Sequence, residues 1–335
     1  MGNMEIIESD ILDLNIDLIS MKNKSILITG ASGVIGIYLL SYIKKKQKEL
    51  NITIYTWHKN NVSLFDELFN DCNKIIGDIT DLNNFKDLPK FDYIIHSAGY
   101  AQPGKFLLDK VKTIELNTIS TINLIERLKD DGSFLFVSSS EVYNGLEKAN
   151  ITETEIGTTN TNNHRSCYIE GKRCGESICH AYREMGKNIK IARLSLAYGP
   201  GNQKNDSRVL YSLINKAITD DNIELIDSGS AIRTCLYVTD VLEMFLNILL
   251  RGKNHTYNVG GISVITILDL AKKIGDSFNK EVIIPAISHE LVGNSKIVNI
   301  SIDRYINEFG KKSFVSIDKG LEKTIEWQIK LHERD

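Results

Sequence analysis

The sequence predicts an α/β fold: a doubly wound parallel sheet followed by a smaller C-terminal lobe. Three observations predict it. Short β-rich runs alternate with helical stretches as far as residue 198. A spaced glycine triplet, Gly30, Gly33 and Gly36, falls between the first of those runs and the first long helical stretch. After Tyr198-Gly199-Pro200-Gly201 the pattern changes to shorter, irregular elements. Residues 1–22 are read as an N-terminal extension, 23–198 as the sheet domain and 199–335 as a mixed lobe that can return strands to the main sheet.

In the extension, Ile6, Ile7, Ile11, Leu14, Leu18 and Ile19 recur at roughly helical spacing, which predicts an amphipathic helix lying on the main domain. Residues 25–29 are the first strand, and an apolar helix runs from the glycine loop to about residue 46. Glycines allow a tight turn there and let a pyrophosphate approach the helix N-terminus, whose free N–H groups and dipole favour anions. The loop, with Ser32, Val34 and Ile35 between its glycines, reads as a dinucleotide site in a Rossmann domain.

Residues 52–57 are the second strand, whose end selects the cofactor. An acidic residue there binds the ribose hydroxyls of NAD, and a basic one favours the 2′-phosphate of NADP. The chain offers Thr56-Trp57-His58-Lys59-Asn60, with no carboxylate. One flexible lysine and one largely neutral histidine match a doubly charged phosphate poorly, so NAD is expected ahead of NADP. Thr56 and Asn60 are expected on the ribose and Trp57 on adenine.

A third strand, 74–76, ends in Gly77-Asp78-Ile79, and a fourth, 93–96, in Ser97-Ala98-Gly99. Small residues at that point let backbone lie against a cofactor. A helix over 110–128 contains Asn117, and 189–194 is the sixth strand. In the lobe, helices are expected over 208–219, 239–250, 267–278 and 317–329, with extended runs at 223–226 and 236–238.

The fifth strand carries the chemistry. Its apolar run 134–137 leads into Ser138-Ser139-Ser140-Glu141-Val142-Tyr143. A helix over 166–185 contains Tyr168 and Lys172, which at i and i+4 share a face. An ammonium beside a phenol favours the phenolate, and a neighbouring hydroxyl such as Ser139 can bond the same substrate oxygen. The three suit proton transfer coupled to hydride transfer at a carbinol carbon.

Composition narrows the class. The 335 residues are 42% hydrophobic and 25% charged, with a net charge of −3, so nothing points to nucleic acid or an anionic membrane. No apolar run reaches the roughly 18 residues of a membrane span, and the start lacks a signal-peptide pattern. The five cysteines form no Cys-x-x-Cys pair and are read as reduced thiols of a cytoplasmic protein. The seven histidines lack ligand spacing, so no metal is expected.

These marks together resemble the extended short-chain dehydrogenase/reductase superfamily, in its nucleotide-sugar epimerase/dehydratase branch. The motifs are the glycine loop, Asp78-Ile79, His96-Ser-Ala-Gly99, Asn117-Thr118, Ser138 to Tyr143, Tyr168-x-x-x-Lys172, Tyr198-Gly-Pro200, and Arg233 with Tyr237-Val-Thr-Asp240. Within the branch, Ser139 to Tyr143 and Cys167-Tyr-Ile-Glu-Gly-Lys-Arg173 look most like UDP-glucuronate decarboxylases. The resemblance implies bound NAD and transient oxidation of a sugar at C4. Tyr168 would be the base, Lys172 would hold the nicotinamide ribose and Ser139 would hold O4. Substrate contacts are expected at Ser140, Glu141, Tyr100, Leu196, Arg208, Val209 and Arg233, with Glu141 as acid or base beside C5 or C6. A homodimer through a helix bundle containing 110–128 and 167–185 is also implied.

Three departures stand out: no acidic residue follows the second strand, Leu196 replaces the branch's asparagine, and Tyr100-Ala-Gln-Pro-Gly104 and the 294–299 segment replace the decarboxylases' proline-rich and arginine-rich stretches. Ser140 also stands where 4,6-dehydratases carry the aspartic acid that protonates a leaving hydroxyl. A 4-dehydrogenase or epimerase, of the kind used in bacterial surface-polysaccharide synthesis, is therefore placed first and a UDP-glucuronate decarboxylase second. A 4,6-dehydratase and a non-catalytic NAD(P) sensor follow.

Overall fold

The computed structural model describes residues 4–60, 65–286 and 295–333. Six strands form in chain order: β1 Ser25–Thr29, β2 Thr53–His58, β3 Asn73–Ile76, β4 Phe91–His96, β5 Leu128–Ser139 and β6 Asn188–Leu194. A seventh comes from the C-terminal half, where β10, Thr256–Val259, pairs with β6. The order is β10-β6-β5-β4-β1-β2-β3, with every pairing parallel. Ile26 to Ile28, Ile94, Ile95 and Phe134 to Phe136 are fully buried, as strands covered by helices on both faces require.

Helices α1 Met4–Asp10, α2 Val34–Leu50, α3 Pro103–Phe106, α4 Lys110–Asn117, α5 Ile119–Glu126 and α6 Ser166–Glu184 precede β6. The single helix expected over 110–128 is two. At Thr118 the backbone leaves helical geometry (φ −115°, ψ −73°). The Thr118 and Thr121 hydroxyls bond back to the Ile114 and Asn117 carbonyls, the competition that makes such residues poor helix interiors.

β7 Leu196–Tyr198 leaves β6 and enters a second sheet, where it pairs in parallel with β9, Ile232–Tyr237. β11 Ser263–Thr266 is antiparallel to β9, and β13 Ile297–Val298 parallel to it. A separate pair joins β8 Ile223–Glu224 to β12 Val282–Ile283. The strand expected at 236–238 thus begins earlier, which puts Arg233 inside β9. Helices α7 Val209–Thr219, α8 Val238–Arg251, α9 Ile267–Phe278, α10 Asp303–Phe309 and α11 Ile317–His332 complete the fold, with α8 packed on α2 and on β5 of the main sheet.

The N-terminal segment is built in. Ile6, Ile7 and Ile11 are buried. The Asp10 carboxylate accepts from the Tyr38 hydroxyl of α2 at 2.6 Å, from the Tyr237 hydroxyl that ends β9, and pairs with Lys323 of α11.

Candidate active site

In an open parallel sheet, ligands bind beyond the carboxyl ends of the strands where the order reverses. Here β1 lies between β2 and β4, so the crevice opens above Thr29 and His96. The turn after β1 is forced to be glycine. Gly30 sits at φ +70°, and a Cβ on it would lie 2.9 Å from the Ala98 nitrogen. A Cβ on Gly36 would lie 2.3 Å from the Gly30 carbonyl oxygen, so the first turn of α2 presses on the loop. Gly33 caps α2 in extended geometry without a side-chain bond, which leaves the N–H groups near Val34 and Ile35 facing the crevice.

A buried polar relay fixes this edge. His96 Nε2 lies 3.1 Å from the Leu116 carbonyl, which can only accept, so Nε2 carries the hydrogen. Nδ1 then accepts from the Thr29 hydroxyl at 2.9 Å, and Thr29 Oγ1 accepts from the Ala98 N–H at 3.1 Å. The Ser97 hydroxyl donates to the Thr29 carbonyl at 2.6 Å. Burial, with Lys172 nearby, pushes the His96 pKa down to about 3, so its ring is neutral.

The end of β2 differs from the expectation. Trp57 does not face the crevice: it is buried, its ring tilts against Phe85 and its Nε1 donates to the Gly77 carbonyl at 2.9 Å. Thr56 is fully buried and meets His58 Nε2 at 2.9 Å. Alternation along the strand puts both on the face opposite Trp57. His58 packs edge-on against Phe69, and burial lowers its pKa. Its Nδ1 is buried without a partner, as is Asn117 Oδ1. Lys59 is exposed, and Gly99 is open beside the Lys172 amine. Asp78 is already engaged: its carboxylate accepts from Thr80 N and Oγ1 and pairs with Lys112 at 3.2 Å. Those bonds outweigh the effect of burial and hold its pKa below the ordinary value. Ile79 is buried behind it.

Ser139, Tyr168 and Lys172 come together. Ser139 ends β5 and caps the short turn of residues 140–143, its Oγ accepting from Glu141 N at 3.1 Å. Tyr168 is 8% exposed; burial raises its pKa, and a hydrogen bond from Ser139 works against that rise. Lys172, 6% exposed, donates to the Val137 carbonyl at 2.7 Å and lies 5.9 Å from the Tyr168 ring centre. Burial pushes its pKa down to about 8, against an upward pull from Glu176.

Beside Tyr168 the organising group is one that the sequence reading passed over. Arg165 bonds both carboxylate oxygens of Glu141, at 2.8 and 3.3 Å. Its guanidinium sits 4.9 Å over the Phe106 ring, which stacks on Tyr168 with centres 4.9 Å apart and planes at 14°. Tyr100 packs into the same cluster. Arg165 is the residue just before α6, three positions ahead of Tyr168, and that spacing was the available signal. Phe106 left no comparable mark.

Arg208 is held by Asp206 at 2.5 Å and stacks on Tyr211. Arg233 is half-buried, and its one hydrogen bond goes to the neighbouring Ile232 carbonyl at 2.8 Å. Among the described residues it makes no ion pair, while Glu141 and Arg165 are near enough to act on its charge. Ser140, Leu196 and Val209 are partly exposed, on the turn after β5, on β7 and at the start of α7. Of the 294–299 segment, residue 294 lies outside the described residues.

Comparison with known proteins decides the family. The sequence model of the NAD dependent epimerase/dehydratase family matches residues 26–260. The chain belongs to this family. It is 30% identical over 291 residues to UDP-glucuronic acid decarboxylase 6 of Arabidopsis thaliana, covering 82% of this chain and 78% of that protein. It is also 30% identical to UDP-glucuronic acid decarboxylase 1 of Danio rerio, over 75% of this chain but only 60% of the relative's length. In fold it is similar to the UDP-glucuronic acid 4-epimerase of Bacillus cereus, solved in complex with UDP-glucuronic acid and NAD. The TM-score is 0.78 at 22% identity, over 92% of this chain and 99% of that one.

The residues present fit the family's NAD. The glycine turn leaves room only for backbone, and no side chain caps the N-terminus of α2. Among the described residues no group of side chains could hold a metal, and no helix is long and apolar enough to cross a membrane.

Proposed function

We propose that this member of the NAD dependent epimerase/dehydratase family oxidises C4 of a nucleotide-activated sugar, as a 4-dehydrogenase or 4-epimerase. The supporting observation is the convergence of Ser139, Tyr168 and Lys172 beside the glycine turn. The Gly30–Gly36 loop, Ser97 to Gly99 and Lys172 would hold NAD, which would serve as the hydride acceptor. Ser139 holds O4, and Tyr168 takes its proton. The Lys172 ammonium lowers the cost of the phenolate, and an Arg233 guanidinium with no carboxylate of its own suits a diphosphate or carboxylate. Localisation in the cytoplasm and use in surface-polysaccharide synthesis belong to the same reading. So does a homodimer, supported by an apolar stripe of Val111, Ile114 and Ile122, all exposed on α4 and α5.

A second reading is decarboxylation of UDP-glucuronate. Oxidation at C4 makes the C6 carboxylate β to a ketone, so carbon dioxide leaves into an enolate. The names of the relatives and the Glu141–Arg165 pair beside Arg233 favour it. The test is absorbance at the NADH band on a panel of sugar nucleotides, with carbon dioxide release measured from UDP-glucuronate. Tyr168→Phe should bind NADH normally and turn nothing over. Retained turnover in that variant overturns the assignment. Release of carbon dioxide selects the second reading.

A further inference from the structure

Tyr168 and Lys172 share α6, yet Ser139 arrives on β5, and something must hold the two elements in register. Glu176 lies one helical turn beyond Lys172 and is 8% exposed. Its Oε1 accepts from the Ser138 hydroxyl at 2.5 Å. Arg193 of β6 grips the same carboxylate, Nε at 3.0 and 3.2 Å and Nη2 at 2.7 Å. The remaining Nη1 donates to the Tyr143 hydroxyl at 2.9 Å and to the Glu153 and Glu155 carbonyls. Tyr143 passes its own hydrogen to Asn258 of β10 at 2.6 Å. One carboxylate therefore joins α6, the end of β5, β6 and the turn after Ser139.

The charges around Lys172 give Glu176 a second task. On its own helix Lys172 faces Tyr168, Glu176 and Cys179; from β4 and β5 it faces His96, Phe136 and the Val137 carbonyl. His96 is neutral, and burial raises the Cys179 thiol well above its ordinary pKa. Glu176 is the one anion in that set.

We propose that Glu176 is a positioning residue. Fixed by Arg193, it ties the Ser138–Ser139 strand end to the helix carrying Tyr168 and Lys172, and it is the counter-charge of the Lys172 ammonium. This rests on the oxidoreductase reading for its consequence in turnover, but not for its effect on Lys172 itself.

The experiment therefore reads two things against pH: the affinity for NADH, by fluorescence titration, and turnover on whichever sugar nucleotide the wild type accepts. Both profiles should break near the Lys172 pKa, about 8. Glu176→Gln should move that break down by about one pH unit. Glu176→Asp should restore most of it. Arg193→Gln keeps Glu176 beside Lys172 and should leave the break near its wild-type position. Either single change risks the fold, because it strands a buried charge. Glu176→Gln with Arg193→Gln removes both charges, should fold, and should keep a lowered break. A merely structural role would weaken binding and turnover equally at every pH. An unshifted break in the folded double variant overturns the proposal. A wild type that shows the break in NADH affinity but turns over no sugar nucleotide counts against the oxidoreductase reading alone.

Discussion

The two walls of the crevice are built differently. The cofactor wall is mostly backbone: Gly30, Gly33, Gly36 and Ser97 to Gly99, stiffened by the Thr29–His96–Leu116 relay. Its polar groups are largely matched to one another inside the fold. The substrate wall is side chains brought from distant parts of the chain: Phe106, Glu141, Arg165, Arg208 and Arg233. Two of its arginines are held by carboxylates, Arg165 by Glu141 and Arg208 by Asp206, and Arg233 pairs with none among the described residues. A backbone wall recognises what all dinucleotides share. A wall of charged side chains can be retuned one residue at a time, so under the proposed function the identity of the sugar is read there.

The largest effect should come from breaking the backbone wall. Gly36→Ala places a methyl group 2.3 Å from the Gly30 oxygen, which only a shift of the loop relieves. NADH affinity should fall at least about 100-fold, near 2.7 kcal/mol. Calorimetric titration measures it, and near-normal affinity would mean the loop is not pressed as described.

Next comes the substrate wall. Arg165→Met keeps the bulk over Phe106 but strips Glu141 of both its guanidinium bonds. Losing a charge-assisted pair in a partly buried site costs about 1.5–3 kcal/mol. Turnover should drop by roughly 10- to 100-fold while NADH affinity stays within about twofold. Equal losses in both would erase the distinction between the walls.

The relay gives a smaller, pH-dependent effect. His96 has a folded-state pKa of about 3, depressed below the unfolded value near 6.5. The unfolded chain therefore binds the extra proton first as pH falls. The stability contributed by the neutral ring is complete above about 6.5 and is lost between there and about 3, at about 1.4 kcal/mol per unit. Urea midpoints at pH 7.5 and 5.0 should differ accordingly, and His96→Gln should flatten that slope. An unchanged slope would assign it to other groups.

The smallest effect tests the edge of the cofactor wall. Lys59 is exposed and makes no side-chain bond among the described residues, so Lys59→Ala should change affinity for NADH and NADPH by less than about threefold. A tenfold loss confined to NADPH would show that this edge reads the 2′-phosphate.

This division also explains what was legible in the sequence. The glycine spacing, the buried strands and the Tyr168–Lys172 interval are local patterns, and each reports a local geometry. β10 was less visible because it is four residues long, and its place beside β6 depends on the return of the chain through β7, α7, β8, β9 and α8. Trp57 reads as an adenine platform by type alone, but strand alternation turns it inward. Phe106 and Glu176 carry no motif. Their roles come from contacts with Tyr168 and Ser138, far along the chain.

The Asp10 carboxylate has a consequence for the order of assembly. Its partner Tyr38 follows closely, but Lys323 lies 313 residues later. At about 5–20 residues per second, that is roughly 15–60 s of synthesis. Through that interval the first helix has its α2 neighbour and lacks α11, and for most of it the Tyr237 partner on β9 is also still to come. Long-range closures of this kind are slow to nucleate. The N-terminal helix is therefore made long before α11 and is among the last elements to be locked down.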